Sequence, residues 1–234
     1  MVMFMRLFAG LTILAAVGCT SPAVLNTSAG AERSVDGLYP FENTVVDRAW
    51  ARADMDLSGY TRIKLEGTGI QYRPTSAAAR SGLSAAQRNA SAFPIDAKNR
   101  ERLRQTVADA FISELKKSKN FELTDEVGPD VLIVRGGLLD VVSKVPGDRP
   151  ARVDIYLDSI GEATLVLELV DAESNTVLLR ASDRRLAESQ GMPFVSNSVS
   201  NWVEVKRVAQ YWARLLREGL DGLATAMTLE EPTP

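Results

Sequence analysis

Cys19 is the only cysteine in the chain, and its position limits the chemistry that its thiol can perform. It follows an apolar run, residues 7–17, and the small residue Gly18. A helix of that length spans roughly 16 Å at 1.5 Å per residue, well short of the ~30 Å hydrocarbon core of a bilayer. Because Arg6 is the only charged residue ahead of the run, the layout is typical of a cleaved secretory signal and not of a membrane span.

The residues Ala16-Val17-Gly18-Cys19 resemble the lipobox, the cleavage and acylation motif of bacterial lipoproteins, with Ala16 where that motif usually has leucine. The resemblance implies that residues 1–18 are removed and that Cys19 becomes an acylated, membrane-anchoring first residue. It also implies an outer-membrane, periplasm-facing location, because Thr20 and not aspartate follows the cysteine. An ordinary cleaved signal with an incidental cysteine is the alternative.

The chain contains no histidine, which excludes Ser-His-Asp sites, Cys-His sites and His-ligated zinc. Acylation of Cys19 would also leave no thiolate. The remaining catalytic options are serine with lysine, paired carboxylates or an oxygen-ligated cation, and no such set stands at a typical spacing. We therefore expect no enzyme activity, catalytic residue or cofactor. A cell-wall-directed hydrolase that uses carboxylates is the alternative.

The composition indicates one acidic domain. The 234 residues are 45% hydrophobic, which suffices for a single substantial core. The formal net charge is −3, and loss of Arg6 with residues 1–18 makes it −4, so we expect no nucleic-acid partner. Residues 19–46, rich in Ser, Ala, Gly and Asn, predict a lipidated tether, residues 47–226 one domain, and residues 227–234 a disordered tail.

Hydrophobic periodicity predicts the order strand, helix, several strands, helix. Alternation predicts a strand within 59–74, and Asp96 is the expected N-cap of an amphipathic helix whose buried stripe includes Phe111 and Leu115. Strands follow, with a bulge expected at Gly136-Gly137 and a hairpin turn at 171–175.

The last helix is predicted over residues 201–226, with Asn201 as its N-cap. Its apolar stripe includes Trp202 and Trp212, which we expect to be core anchors. The resulting fold class is α+β, with a mainly antiparallel sheet and two amphipathic helices packed on one face.

Four segments together resemble the bacterial lipoprotein family catalogued as domain of unknown function 3313. They are RAWARADMDLSGYTRIKLEGTGI, GPDVLIVRGGLLDV, GEATLVLELVDAESNTVL and NWVEVKRVAQYWARLLREGLD. The resemblance implies a secreted lipoprotein and supplies no activity. Together with the fold class, it favours a binding or accessory module of the cell envelope.

Three groups of side chains are candidate sites. Met192 and Phe194 lie in a loop that periodicity does not bury and are the candidate contacts to another envelope protein, unless Phe194 plugs the underside of the sheet. Asp154, Asp158 and Glu162 could hold a divalent cation, but alternation favours exposure and we expect no metal.

Basic residues near both ends of the first helix form the third group, and they could bind an anion. They are Arg100, Arg102, Arg104, Lys116, Lys117 and Lys119. A solvated helix face is the expected explanation, and the lysines at the helix end complement the helix dipole.

Overall fold

The computed structural model describes residues 23–75, 92–146, 154–188 and 194–229 of the chain, without the side chains of 194 and 226–229. The strands are β1 (Val24–Leu25), β2 (Tyr39–Glu42), β3 (Arg48–Ala51), β4 (Arg62–Tyr72), β5 (Glu122–Leu123), β6 (Val131–Ser143), β7 (Tyr156–Leu157), β8 (Ser159–Asp171), β9 (Val177–Glu188) and β10 (Phe194–Val195). The helices are α1 (Ala97–Leu115) and α2 (Ser198–Leu229).

Eight strands form one sheet in the order β1-β2-β3-β9-β8-β6-β4-β5, and β7 pairs separately with β10. Pairing is antiparallel except where β4 meets β5 and β6. Both helices pack on the same face of the large sheet, because the core that they cover contains alternate residues of the central strands, such as Leu132, Val134, Leu165 and Leu167. The predicted α+β class, with a mainly antiparallel sheet, is confirmed.

The helices run side by side in the same direction. The guanidinium carbon of Arg102 on α1 lies 4.3 Å from the ring centroid of Trp202 near the start of α2. Further along, Arg217 of α2 donates to Glu114 of α1 across 3.2 Å. Consequently both helices begin at the same end of the sheet.

The sheet begins earlier in the chain than predicted. Residues 19–46 are predicted to be a tether, but β1 pairs with β2 and β2 pairs with β3, and Leu38 is buried. The prediction is wrong from Val24 onward because strands of two and four residues, amid small polar residues, are too short to show a period.

The predicted bulge lies on the neighbouring strand. Gly67 and Gly69 of β4 pair with the consecutive residues Gly136 and Gly137 of β6, so Thr68 is the extra residue. A Cβ atom at Gly137 would lie 2.2 Å from the Thr68 hydroxyl oxygen. Glycine is therefore needed at Gly137 to accommodate the bulge in β4.

Helix α2 begins before the predicted cap. Asn197, not Asn201, accepts hydrogen bonds from the backbone N–H groups of Val199 and Ser200, each at 2.9 Å. Asn201 lies in the first turn, is buried, and donates to the Ser196 hydroxyl across 3.1 Å. The prediction of Asn201 as cap is wrong because Asn197, four residues earlier, offers the same capping chemistry one turn before it.

Candidate ligand-binding cleft

A cleft of about 580 Å³, lined mostly by apolar side chains, lies between the first halves of the two helices and the sheet. Its size falls within the ~300–1,000 Å³ range of small-molecule pockets. The helices supply Leu103, Val107, Trp202, Val205, Val208 and Trp212. The floor includes Leu138 and Val141 from β6, Ile160 and Ala163 from β8, and Arg185 and Ala187 from β9.

The end of the cleft beside the starts of both helices, referred to as its mouth, adjoins Pro94 and Pro146. Asp96 caps α1 by accepting from the backbone N–H of Asn99 at 2.8 Å, as predicted, and both residues line the mouth. Asn197, the cap of α2, lines it too. Because the Asp96 and Asn197 side chains accept hydrogen bonds from N–H groups in the first turn of each helix, both helix starts are stabilised without a bound ligand.

A buried carboxylate organises the polar part of the wall. Asp183 on β9 is 2% exposed and accepts from the Trp212 indole N–H at 2.8 Å and from Arg185 Nε at 2.7 Å. The hydrogen bond from Arg185 to Asp183 raises the pKa of the arginine above its usual range. Arg185 also donates to the Tyr211 hydroxyl across 3.2 Å. The Arg185 charge that faces the cleft is therefore paired, as is the charge of Glu162, which also lines the cleft and contacts Arg184.

Asp183 is absent from the sequence prediction, although two signals mark it. It shares a face of β9 with Leu179 and Ala181, since these residues pair with core residues of β8, and so interrupts an apolar alternation. The last helix also carries Trp212 in its apolar stripe, and a buried indole N–H requires an acceptor. Together they predict a carboxylate beneath a tryptophan.

One of the two predicted partner contacts, Phe194, lies within the described backbone, near the mouth of the cleft. Phe194 begins β10, and its backbone pairs with Leu157 of β7, so the prediction of a loop is wrong at this residue. The strand leads within two residues to the cleft-lining Asn197. Met192 and the predicted lipid attachment residue Cys19 lie outside the described residues.

The three candidate carboxylate ligands are not brought together. Asp154 and Asp158 are exposed, whereas Glu162 accepts from Arg184 at 2.7 Å and from Arg73 at 3.1 Å. Among the residues that the structure describes, no group of three acidic, histidine or cysteine side chains could hold a metal ion.

The arginines at the start of α1 have partners within the protein. Arg100 stacks on Tyr72, with 4.5 Å from its guanidinium carbon to the ring centroid, and Arg102 stacks on Trp202. Arg104 forms an ion pair with Glu101 across 2.5 Å. These contacts compete with binding of an anion at this cluster.

A second cavity of about 480 Å³ lies beneath α1, over the glycines of β4 and β6. Phe111, Val107 and Leu167 are among its apolar walls. A Cβ atom at Gly67 would meet nothing within 4 Å, whereas one at Gly136 would lie 2.8 Å from Leu167. The space thus follows from the absence of side chains in this part of the sheet.

The sheet face opposite the helices carries a row of paired charges. Glu66, Arg135, Glu168 and Arg180 occupy one register on β4, β6, β8 and β9. Arg180 completes the row by contacting Glu168 at 2.8 Å and Asp36 at 2.5 Å. Such alternation satisfies each charge within the sheet, so this face is a weaker candidate for ligand binding than the cleft.

The fold and cleft define an α+β domain with an apolar, tryptophan-lined pocket between its helices and its sheet. The chain belongs to the family described as protein of unknown function (DUF3313), whose model matches residues 31–216. No curated protein matches the sequence. Among the described residues, none of the helices has the length and apolarity needed to cross a bilayer.

Several solved structures resemble the chain at low identity. A PelC dodecamer from Paraburkholderia phytofirmans has 8% identity and a TM-score of 0.34 over 74% of this chain and 95% of its own. Protein XCC0632 from Xanthomonas campestris (family model DUF330) has 9% identity and a TM-score of 0.43, over 76% and 93%. A neuraminyllactose-binding hemagglutinin homolog from Helicobacter pylori has 9% identity and a TM-score of 0.36, over 72% and 89%. These values support no statement about the activity of this chain.

Proposed function

We propose that this protein is a lipoprotein of the bacterial outer membrane whose periplasmic domain is a non-catalytic binding module, with the cleft as its binding site. The observation that carries the proposal is a cleft with a mainly apolar lining and two tryptophans, behind which the buried Asp183 carboxylate pairs with Trp212 and Arg185. Apolar pockets with a few fixed polar groups are typical of ligand sites. The lipobox-like residues before Cys19 support the anchor.

The anchor is tested by cell fractionation of the full chain and its Cys19→Ser variant after labelling with radioactive palmitate. We expect labelled wild-type protein in the outer membrane and unlabelled variant in the periplasm, because two or three acyl chains are needed for stable anchoring. A variant that remains membrane-bound and labelled would refute acylation at Cys19.

The cleft is tested with an apolar naphthylamine dye whose fluorescence increases in apolar surroundings. We expect the purified full chain to bind it and Val205→Glu to lose binding, because a carboxylate in the cleft is costly to desolvate. Val203→Glu is the matched control, since Val203 is exposed on the same helix and does not line the cleft. Equal binding by both variants would place the dye elsewhere.

We further propose that Met192 and Phe194 contact a partner protein of the envelope beside the mouth of the cleft. The support is that β10 leads directly into the start of α2. Crosslinking in intact envelopes should recover one dominant partner with the wild-type chain and not with Phe194→Asp. A crosslinking pattern unchanged by Phe194→Asp would contradict this contact.

A further inference from the structure

The topology places the N-terminal end of the described domain and the mouth of the cleft at the same end of the sheet. Val24 of β1 pairs with Glu42 at the end of β2, and Arg48 at the start of β3 pairs with Ser182 of β9. From there β9 continues to Ala187 at the cleft floor. The chain therefore enters the sheet from the side on which the cleft opens.

The distance from the predicted anchor to this end is short. Five residues lead from Cys19 to Val24, and an extended chain spans at most about 18 Å over that number of residues. Four strand spacings, from β1 to β8, amount to roughly 19 Å across the sheet. From Ser182 to Ala187, β9 extends a further distance of roughly 17 Å along the sheet. An acylated Cys19 thus holds Val24 within about 18 Å of the bilayer surface, on the side of the domain where the mouth of the cleft lies.

Exposed apolar side chains lie at both ends of the sheet, including this one. Val24 is 52% exposed, and Val45, in the connection between β2 and β3, is 71% exposed. Exposed valines are costly in water and compatible with the interfacial region of a membrane. Because Val35 and Val127, toward the opposite end, are 101% and 58% exposed, exposure by itself does not distinguish the two ends.

The cleft suits hydrocarbon better than a peptide. A bound peptide needs partners for its backbone, which edge strands usually supply. Among the described strands, the floor strands β6 and β8 have neighbours on both sides, whereas β9 pairs with β3 only over residues 179–182 and has only β8 beside it along the floor. Most of the floor therefore offers no free backbone groups to a peptide. Several polar side chains in the wall have partners within the protein, since Arg185 pairs with Asp183 and Asn201 with Ser196. Glu162 likewise pairs with Arg184. An alkyl chain needs no such partners.

We propose that the cleft holds an acyl chain of a bilayer phospholipid, drawn from the membrane to which Cys19 anchors the domain. This inference rests on the proposed anchor and names the ligand class of the proposed cleft. Trp202 and Trp212 would contact the chain along its length, with the lipid headgroup outside the mouth.

The test uses the acylated full chain reconstituted in vesicles of phosphatidylethanolamine and phosphatidylglycerol, with brominated or unmodified acyl chains. Bromine quenches tryptophan on contact, and two of the three tryptophans line the cleft. We expect brominated vesicles to remove most of the tryptophan emission of the wild type and of Val203→Glu, and little of the emission of Val205→Glu. Vesicle flotation measures anchoring in each sample, and circular dichroism measures folding.

The outcomes separate the two proposals. Failure of the wild type to float would overturn the anchor and, with it, the lipid assignment. Flotation without quenching would overturn the acyl chain as ligand and leave the anchor intact. Equal quenching of both glutamate variants would show that the tryptophans touch the bilayer surface and not a chain in the cleft. Should Val205→Glu misfold, Val205→Phe fills the same space without charge and must show the same loss of quenching.

Discussion

Replacing Asp183 with alanine tests whether one buried carboxylate holds the sheet and α2 together. The substitution leaves the Trp212 indole N–H, buried in the core, without its acceptor, and an unsatisfied buried donor costs about 1–3 kcal/mol. Loss of one partner of a buried ion pair costs about 3–5 kcal/mol, but the Arg185 side chain is 37% exposed and water replaces part of its interaction. We therefore expect a loss of roughly 3 kcal/mol in the free energy of unfolding.

The assay is urea unfolding of the Cys19→Ser full chain, followed by far-UV circular dichroism. A loss of roughly 3 kcal/mol is a large part of the ~5–15 kcal/mol stability of a typical domain, so the midpoint should fall clearly. Asp183→Asn keeps an oxygen acceptor for the Trp212 indole N–H, so it should lower the free energy of unfolding less than Asp183→Ala does. Asp54→Ala removes an exposed ion pair with Arg52 and should change stability by less than about 0.5 kcal/mol. If Asp183→Ala had the same urea midpoint as Asp54→Ala, the Asp183 carboxylate would not hold α2 to the sheet as described above.

Three further outcomes follow from the contacts described. Gly161→Ala should lower the urea midpoint, because the new Cβ would lie 2.1 Å from a carbonyl oxygen of β6. Gly67→Ala, whose Cβ would meet nothing within 4 Å, should lower the midpoint less. Equal effects of the two substitutions would contradict the close approach at Gly161. Burial, together with a hydrogen bond to the Asp171 carboxylate, raises the pKa of Tyr60 to about 12 from an ordinary 10. The contribution of the neutral Tyr60 side chain to stability is therefore complete below pH 10 and is lost as pH rises toward 12. An absorbance titration at alkaline pH should therefore lose its latest-ionising tyrosine in Tyr60→Phe, and an unchanged curve would refute the assignment. Arg102→Ala should lower the free energy of unfolding by about 0.5–1 kcal/mol, because the contact between the guanidinium group and the Trp202 ring is lost. Thermal unfolding measures this effect, and an unchanged midpoint would contradict it.

The long elements were predictable because their hydrophobic periods extend over many residues. The Asp96 cap and the stripe of α1 appear as expected, as does the hairpin of β8 and β9, where the Asp171 carboxylate accepts from the Ser174 backbone across 2.6 Å. Local signals suffice for such elements, since each turn or strand repeats the same pattern.

The cleft was not predictable because it depends on relationships between distant segments. Its walls bring together Leu103, Val141, Ile160 and Trp212, which no sequence spacing relates. The short strand β1 was missed for a similar reason, since its pairing with β2 and not its own composition makes it a strand. Nonlocal packing and pairing decide these features, and one sequence carries little trace of them.

The outermost strands of the large sheet, β1 and β5, contain only two residues each. Strands that short present few unpaired N–H and C=O groups of their own. However, β5 pairs only with Arg62 and Ile63 of the eleven-residue β4. Among the described strands, none pairs with that side of β4 beyond Ile63, so a partner that adds a strand would find its hydrogen-bond ladder on β4 and almost none on β1.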